Sequence, residues 1–448
     1  MRILFTVNPG TSIFQSMVPL AWALRTAGHE VRFASRPGFA DEITRAGLTA
    51  VQAGRDFDLG RVLEAAGEDL YEAARAGLPS PWDVAHAPRN ATWERMVEGY
   101  ARTVEDVEKP ENFPIISGLV EFARQWRPDL VIWEPLSCAG AVAAKAVGAA
   151  HARILWGIDV FGVAREKFLR LKEQQPEGER EDPLADWLGG YARRYGGEFT
   201  EDMVTGHFTI DQFPRALQSE APGLDYLRMQ YIPYNGPSVV PGWLWKKPAR
   251  PRVALTLGLT ATDIFDGYTV NTQDLLDELA DLDIEVVATI ADSEKAKLRR
   301  IPDNARLLPF VPLHVLAPTC DVVIHHAGPG TLATVARYGV PQVAIPYSFD
   351  EPLFAEKLAQ AGAAVWIPNG GATGAAIREQ VVKVLSDPSY AEGAARLRDH
   401  IETLPTPNGL VPRLEELVRR HRTRPEPAAD EAVGAGASVA GATAGAGA

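Results

Sequence analysis

The sequence has few cysteines and no long apolar run, and each absence excludes a class of protein. Cys138 and Cys320 are the only cysteines among 448 residues and lie far apart, which excludes a disulfide framework. No window approaches the roughly 20 apolar residues of a membrane helix. The first ten residues break at Asn8-Pro9-Gly10 and lack a basic start or a cleavage site, which predicts a β-strand rather than a signal peptide. The predicted location is a reducing cytoplasm, away from membranes.

Positive charge is also scarce. The chain has 45 Lys and Arg residues against 58 Asp and Glu residues, and its formal net charge is −13. Because binding along nucleic acid needs a basic face to neutralise phosphates, we do not expect a nucleic-acid partner. Hydrophobic residues make up 46% of the chain, which at this length is enough for two domains with separate cores.

Apolar strands alternate with helical segments in both halves of the chain, which predicts parallel sheets covered on both faces. Turn residues cluster at 234–237 and 241–242, and the alternation restarts after them. The predicted fold class is α/β, with two Rossmann-like domains facing each other across a cleft. The domains are predicted at 1–232 and 233–421, followed by a disordered Ala/Gly-rich tail at 422–448. Irregular insertions at about 55–125 and 160–205 are expected at the mouth of the cleft.

The segment 321–336 carries the strongest chemical signal. An apolar strand runs into His325 and His326, then into a Gly-rich turn, and Thr331 opens a helix. The free N–H groups and positive dipole end of such a helix form a phosphate cradle, so we expect His326, Gly328, Gly330 and Thr331 to bind phosphate. The alternative is an ordinary strand–turn–helix in which Thr331 caps the helix. The spacing fits neither the dinucleotide fingerprint nor the P-loop.

An acidic pair, Asp350 and Glu351, follows the next strand. One structural unit after a phosphate cradle, such a pair suits the hydroxyl groups of a sugar attached to that phosphate. The alternative is a solvated pair of loop carboxylates.

The chain resembles the GT-B glycosyltransferases, and in particular the actinomycete transferases that attach TDP-deoxysugars to macrolide and aromatic polyketide aglycones. The segment His325 to Asp350 resembles their donor motif. Further blocks of resemblance lie at 17–35, 129–135, 154–160, 202–211, 234–244, 255–263 and 301–320. The resemblance implies an acceptor-binding N-terminal domain, a donor-binding C-terminal domain and an inverting, metal-independent reaction.

The resemblance also implies roles for individual residues. His326 and the backbone from Gly328 to Thr331 would hold the pyrophosphate, with Thr260 also reaching phosphate. Val311 and its neighbours in the turn 310–313 would hold the base, and Asp350 and Glu351 would contact the sugar. The TDP-sugar is a co-substrate, so no cofactor is expected. The expected partners are a hydrophobic aglycone and a cytochrome-P450-like auxiliary protein, and a homodimer is also considered.

Two positions depart from the family pattern. Ala327 replaces the usual first glycine of the donor motif, which is tolerable if that position avoids positive φ. Ile13 stands where relatives carry the histidine that acts as general base on the acceptor hydroxyl. Isoleucine cannot take a proton, so another group must do so.

Glu134, at the end of the strand 129–133, is the first candidate for the missing base, and Asp159 is the second. The alternative for Glu134 is that it only orients a neighbouring loop. His86, in the first insertion, is a candidate for the acceptor pocket. The spacing of the remaining histidines does not suggest a metal site. Two other functions stay open: a base-less homologue that serves another transferase as a sugar-nucleotide-binding helper subunit, and a sugar-nucleotide epimerase.

Overall fold

The computed structural model describes residues 1–56, 77–258 and 268–423. Thr260 and residues 424–448 of the predicted tail lie outside these ranges. Within them the chain forms two parallel sheets, one in each half, which confirms the predicted pair of Rossmann-like α/β domains.

The first sheet has seven parallel strands in the order β3-β2-β1-β4-β5-β6-β7. Strands β1 and β4 are near-continuous apolar runs buried on both faces, as parallel sheets require, and β5 buries His151 and Arg153 as well. The strands are β1 (Arg2–Thr6), β2 (Glu30–Ser35), β3 (Ala50–Gln52), β4 (Leu130–Trp133), β5 (Ala150–Ile154), β6 (Phe208–Asp211) and β7 (Tyr226–Arg228).

The second sheet has six parallel strands in the order β10-β9-β8-β11-β12-β13. In each sheet the strand order reverses beside the first strand, between β1 and β4 and between β8 and β11. Ligands of open α/β sheets bind beyond the carboxyl ends of strands at such reversals. The strands are β8 (Arg252–Thr256), β9 (Glu285–Thr289), β10 (Ala305–Leu308), β11 (Val322–His325), β12 (Gln342–Ala344) and β13 (Ala364–Trp366).

Helices cover both sheets. Those of the first half are α1 (Thr11–Thr26), α2 (Ala40–Arg45), α3 (Trp93–Thr103), α4 (Lys109–Asn112), α5 (Ile116–Trp126), α6 (Ala139–Val147), α7 (Val160–Glu173), α8 (Pro183–Arg194) and α9 (Asp202–Thr205). The second half contributes α10 (Thr272–Glu278), α11 (Asp292–Lys295), α12 (Leu313–Leu316), α13 (Pro329–Arg337), α14 (Glu351–Gln360), α15 (Gly374–Ser386), α16 (Pro388–Glu402) and α17 (Pro407–His421). None of the described helices is long and apolar enough to cross a membrane.

The last helix crosses back to the first domain. The prediction assigned α17 to the second domain, but its apolar face packs against α1 and β5 and belongs to the core of the first sheet. The residues that form this face are Leu410, Val411, Leu414, Leu417 and Val418. Helical periodicity marks which side of α17 is apolar but not which sheet receives it, and the exact domain boundary at 232 stays a prediction.

Leu414→Ala is expected to lower the free energy of unfolding by about 2–5 kcal/mol, because Leu414 is fully buried between α17 and the first sheet. Urea unfolding measures the change. The control is Arg413→Ala, one residue away on the solvent side of the same helix, which should change stability by no more than about 0.5 kcal/mol. Equal effects of the two substitutions would contradict the packing of α17.

Candidate active site

The carboxyl edges of the two sheets face each other. Beyond β5, the backbone N–H of Ile158 donates to Asp350 Oδ2, which follows β12, at 3.0 Å. A Cβ added to Gly157 would lie 2.4 Å from that Asp350 oxygen and 3.7 Å from Pro329 at the start of α13. Only a residue without a side chain therefore fits between the acidic loop and the Gly-rich turn of the second domain.

Helix α13 begins as the phosphate-cradle prediction requires. Its N-cap is Gly328, no side chain caps it, and its first turn holds no acidic residue. Thr331 is the third residue of the helix, so the alternative that it caps the helix is wrong. Gly330 and Thr331 are half-buried, which leaves this end of the helix partly open. An uncapped helix start of this kind attracts an anion.

The two histidines beside the cradle have different surroundings. His325 Nδ1 accepts from the Ala327 N–H at 2.9 Å, so its Nε2 donates to Gln342 Oε1 at 2.6 Å, and this ring is fixed in the core. His326 lies between two glycines: a Cβ on Gly258 would approach its ring to 2.5 Å, and one on Gly328 to 2.2 Å. Both glycines are therefore needed to seat the His326 ring beside the cradle.

Ala327 does not meet the condition under which it was expected to be tolerated. Its φ is +66°, in the left-handed region, and its side chain is fully buried. A left-handed alanine costs about 1–2 kcal/mol relative to the right-handed conformation. The turn between β11 and α13 is thus strained at the position where the resemblance implies glycine.

The acidic pair is buried rather than solvated, which contradicts the simpler alternative. Asp350 is 2% exposed and Glu351 is 6% exposed. Glu351 Oε2 accepts from the N–H groups of Tyr347 and Ser348, both at 3.0 Å, and its other oxygen lies 3.7 Å from His326 Nε2. Burial raises the pKa of Asp350 to about 7 and that of Glu351 well above its usual range. Their contact with a sugar stays a prediction.

The turn 310–313, which was expected to bind the nucleotide base, contains one buried residue and one exposed residue that bear on this role. The Val311 side chain is buried in the core of the second domain, so only its backbone could meet a ligand. Phe310 beside it is 51% exposed and offers a free aromatic face. Thr260, the other predicted phosphate contact, lies outside the described residues.

Glu134 lies at the reversal point between β1 and β4. Its Oε2 accepts from the Leu136 N–H at 2.9 Å and from the Trp156 indole N–H at 3.2 Å. Its Oε1 accepts only the long 3.4 Å contact from the Asn8 N–H. Burial raises the pKa of Glu134 to about 7. The carboxyl group thus orients its loop through one oxygen and keeps the other largely free.

Asp159 and His86 do not occupy the positions expected of them. Asp159 is fully buried, pairs with Arg153 at 2.7 Å, accepts from the Tyr226 hydroxyl at 2.6 Å and caps α7. His86 is 41% exposed and pairs with Glu356 across the domain junction at 3.1 Å. These contacts give Asp159 a structural role and make His86 a link between the domains. The sequence does not reveal partners as distant as Tyr226 for Asp159 and Glu356 for His86.

Ile13 lies in the first turn of α1 and is partly buried against the core below it. Helix α1 begins at Thr11, two residues before Ile13. The position at which the resemblance implies the general base is therefore helical and apolar in this chain.

An aromatic cluster lies at the domain junction and was not predicted from the sequence. Trp82, Trp156, Phe161 and Phe349 have ring centroids 5.0–6.2 Å apart, and all but Trp82 are half-buried. Trp156 donates to Glu134, and Phe349 directly precedes Asp350. These four residues, hereafter the aromatic cluster, come from distant segments, so sequence spacing gives no sign of them.

Among the described residues, His151, Asp202 and His207 could offer three metal-ligand atoms. Histidine spacing had not suggested this group. Trp133 Nε1 donates to His151 Nδ1 at 3.3 Å, and the backbone N–H of His151 donates to His207 Nδ1 at 3.1 Å. Each ring therefore carries its proton on Nε2, which faces Asp202 Oδ2. As both rings present protons instead of lone pairs, the group is arranged as a hydrogen-bond network.

Two family models match most of the chain. The erythromycin biosynthesis protein CIII-like N-terminal domain matches residues 22–258, and the corresponding C-terminal domain matches residues 273–417. The chain belongs to this family. The two models follow one another along the chain as its two halves do, and the resemblance inferred from the sequence is confirmed. This chain is a glycosyltransferase of GT-B fold.

Similar proteins include curated enzymes and solved structures. The 10-deoxymethynolide desosaminyltransferase of Streptomyces venezuelae is 46% identical over 95% of this chain and 99% of its own length. The aclacinomycin-T 2-deoxy-L-fucose transferase of Streptomyces galilaeus is 40% identical over 94% and 97%. The glycosyltransferase VinC in complex with dTDP superposes with a TM-score of 0.84 at 38% identity, covering 94% of this chain and 100% of VinC.

His326 is expected to titrate with a pKa of about 4, because burial disfavours the imidazolium. Its ordinary value is 6.5, so the unfolded chain takes up this proton first. The stability contributed by the neutral ring is full above pH 6.5 and falls between about pH 6.5 and 4. NMR of the ring proton on Cε1, assigned by its loss in His326→Asn, measures the pKa. A value near 6.5 would contradict the burial of this ring.

Proposed function

We propose that this CIII-like glycosyltransferase transfers a deoxysugar from a TDP-sugar to a hydroxyl group of a polyketide-type aglycone in antibiotic biosynthesis. The observation that carries the proposal is the uncapped start of α13 beside His326, which lies by Gly157 in the loop whose Trp156 donates to Glu134. The named activities of relatives up to 46% identical over nearly the whole chain support it.

In this proposal the second domain would bind the donor. The α13 N-terminus and His326 would receive the diphosphate, Phe310 and the Val311 backbone the thymine base, and Asp350 and Glu351 the sugar. Because burial keeps His326 neutral near pH 7, it would donate a hydrogen bond to phosphate without adding a full charge. Removing one donor of this kind from a developing anion typically lowers the rate on the order of 100-fold.

The reaction we propose is a direct displacement with inversion. The acceptor oxygen bonds to the anomeric carbon, while the bond from that carbon to the diphosphate oxygen breaks and its electron pair leaves with TDP. The hydroxyl proton passes to Glu134 Oε1. The dipole of α13 stabilises the leaving charge, so the proposed mechanism uses no metal ion.

Glu134 is our choice for the base over Asp159. Both oxygens of Asp159 are committed to Arg153, Tyr226 and the cap of α7, whereas Glu134 Oε1 has only one long contact. A pKa of about 7 makes Glu134 a stronger base than an ordinary carboxylate while leaving it largely ionised above pH 7. The adjacent aromatic cluster would bind the apolar aglycone.

Ile13 supports a second candidate function, in which the chain is a helper subunit for another transferase. The largely free oxygen of Glu134 favours the active enzyme, because a subunit that only binds the sugar nucleotide needs no proton acceptor. We also propose a P450-like auxiliary protein, a homodimer and a cytoplasmic location. The first of these proposals requires an assay with and without the auxiliary protein.

The test is transfer of desosamine from TDP-desosamine to 10-deoxymethynolide, monitored by mass spectrometry. The assay is run in the presence of EDTA, with and without the P450-like auxiliary protein. Glu134→Gln should lower kcat roughly 100- to 10,000-fold while leaving the Kd for TDP unchanged. In the parent enzyme, kcat/KM should fall about tenfold per pH unit below pH 7, because the protonated carboxyl group cannot accept the hydroxyl proton.

Asp350→Asn is the matched control, since burial raises the pKa of Asp350 to about 7 as well. The fall in rate at acid pH should persist in Asp350→Asn if it belongs to Glu134. Full activity in Glu134→Gln would remove Glu134 as the base. Loss of activity with EDTA would contradict the metal-independent mechanism, and no transfer to any polyketide aglycone would favour the helper subunit.

A further inference from the structure

Asn8 is a polar residue at the reversal point that no role proposed so far explains. It follows β1 by two residues, is 7% exposed, and lies on the loop that leads to Ile13. Its backbone N–H makes the 3.4 Å contact to Glu134 Oε1. Asn8 is therefore the residue of the loop after β1 that lies next to the freer oxygen of the proposed base.

Neighbouring contacts fix the orientation of the Asn8 side chain. Its Nδ2 donates to the Leu136 carbonyl at 2.9 Å, and the buried Asn112 donates to the same carbonyl at 2.9 Å. A flipped Asn8 amide would place its oxygen against the Leu136 oxygen and lose this bond. The amide nitrogen is thus identified by its partner, which also identifies the oxygen.

The Asn8 Oδ1 atom is buried and has no hydrogen-bond partner among the described residues. Buried carbonyl oxygens are nearly always paired, because an unmade hydrogen bond leaves the full cost of removing the oxygen from water. Asn112 shows the contrast within the same contact network: its Oδ1 accepts from the Ala139 N–H at 2.9 Å, and its Nδ2 has more than one acceptor. Asn112 Oδ1 thus has a hydrogen-bond donor, whereas Asn8 Oδ1 has none among the described residues.

We infer that Asn8 Oδ1 accepts a hydrogen bond from the attacking hydroxyl group of the acceptor and holds that hydroxyl beside Glu134 Oε1. The inference rests on the proposed function. Asn8 lies five residues before Ile13, so the loop after β1 would still contribute to acceptor activation, by orientation instead of proton removal. The proton itself would pass to Glu134, since an amide oxygen cannot hold it.

The inference makes Asn8 a determinant of hydroxyl recognition. Calorimetry with saturating TDP would compare the Kd of 10-deoxymethynolide with that of the analogue in which the attacked hydroxyl is replaced by hydrogen. The parent enzyme should bind the hydroxyl compound roughly tenfold more tightly. In Asn8→Ala, and in Asn8→Ser if the first variant folds poorly, this preference should fall to near one.

Asn112→Ser is the matched control, because it also removes a donor to the Leu136 carbonyl but leaves Asn8 Oδ1 in place. It should keep the preference even if it lowers Tm. An undiminished preference in both Asn8 variants would overturn the inference, as would equal binding of the two macrolactones by the parent enzyme. If neither macrolactone binds the TDP complex, the proposed acceptor class is contradicted instead.

Discussion

The hydrogen bond from the Ile158 backbone to the Asp350 carboxylate joins the carboxyl edges of the two sheets. It requires glycine at 157, since a side chain there would collide with Asp350. Through this contact the loop after β5 meets both the acidic loop and the start of α13. The aromatic cluster, Glu134 and the phosphate cradle share one junction because these loops are held together.

The junction is unusual in its charge. Glu134, Asp350 and Glu351 are all buried, and no Lys or Arg of the described chain forms an ion pair with any of them. Burial raises the pKa of each: to about 7 for Glu134 and Asp350, and well above its usual range for Glu351. A carboxyl group in such surroundings suits proton transfer better than a salt-bridged one, which explains why Asp159, tied to Arg153, is a poorer candidate.

Much of the fold could be predicted from the sequence because parallel strands are long apolar runs separated by helices. The strand, Gly-rich turn and helix from His325 to Thr331 were predictable too, since they are adjacent in the chain, and their binding of phosphate stays a prediction. The partner sheet of α17, the contacts of His86 with Glu356 and the aromatic cluster were not, because each joins segments distant in sequence. The positive φ of Ala327 also escaped prediction, since alanine rarely adopts it.

The central claim is that the start of α13 and the His326 ring bind the diphosphate of the donor. Calorimetric titration of TDP into the protein and into its Gly328→Ala variant tests it most directly, because a Cβ at this position would lie 2.2 Å from His326 Nε2 and displace the ring. The account predicts that the parent binds TDP and that the variant, still folded by circular dichroism, binds it about tenfold more weakly or worse. Equal affinity of the two proteins, or no binding by the parent, would contradict the account.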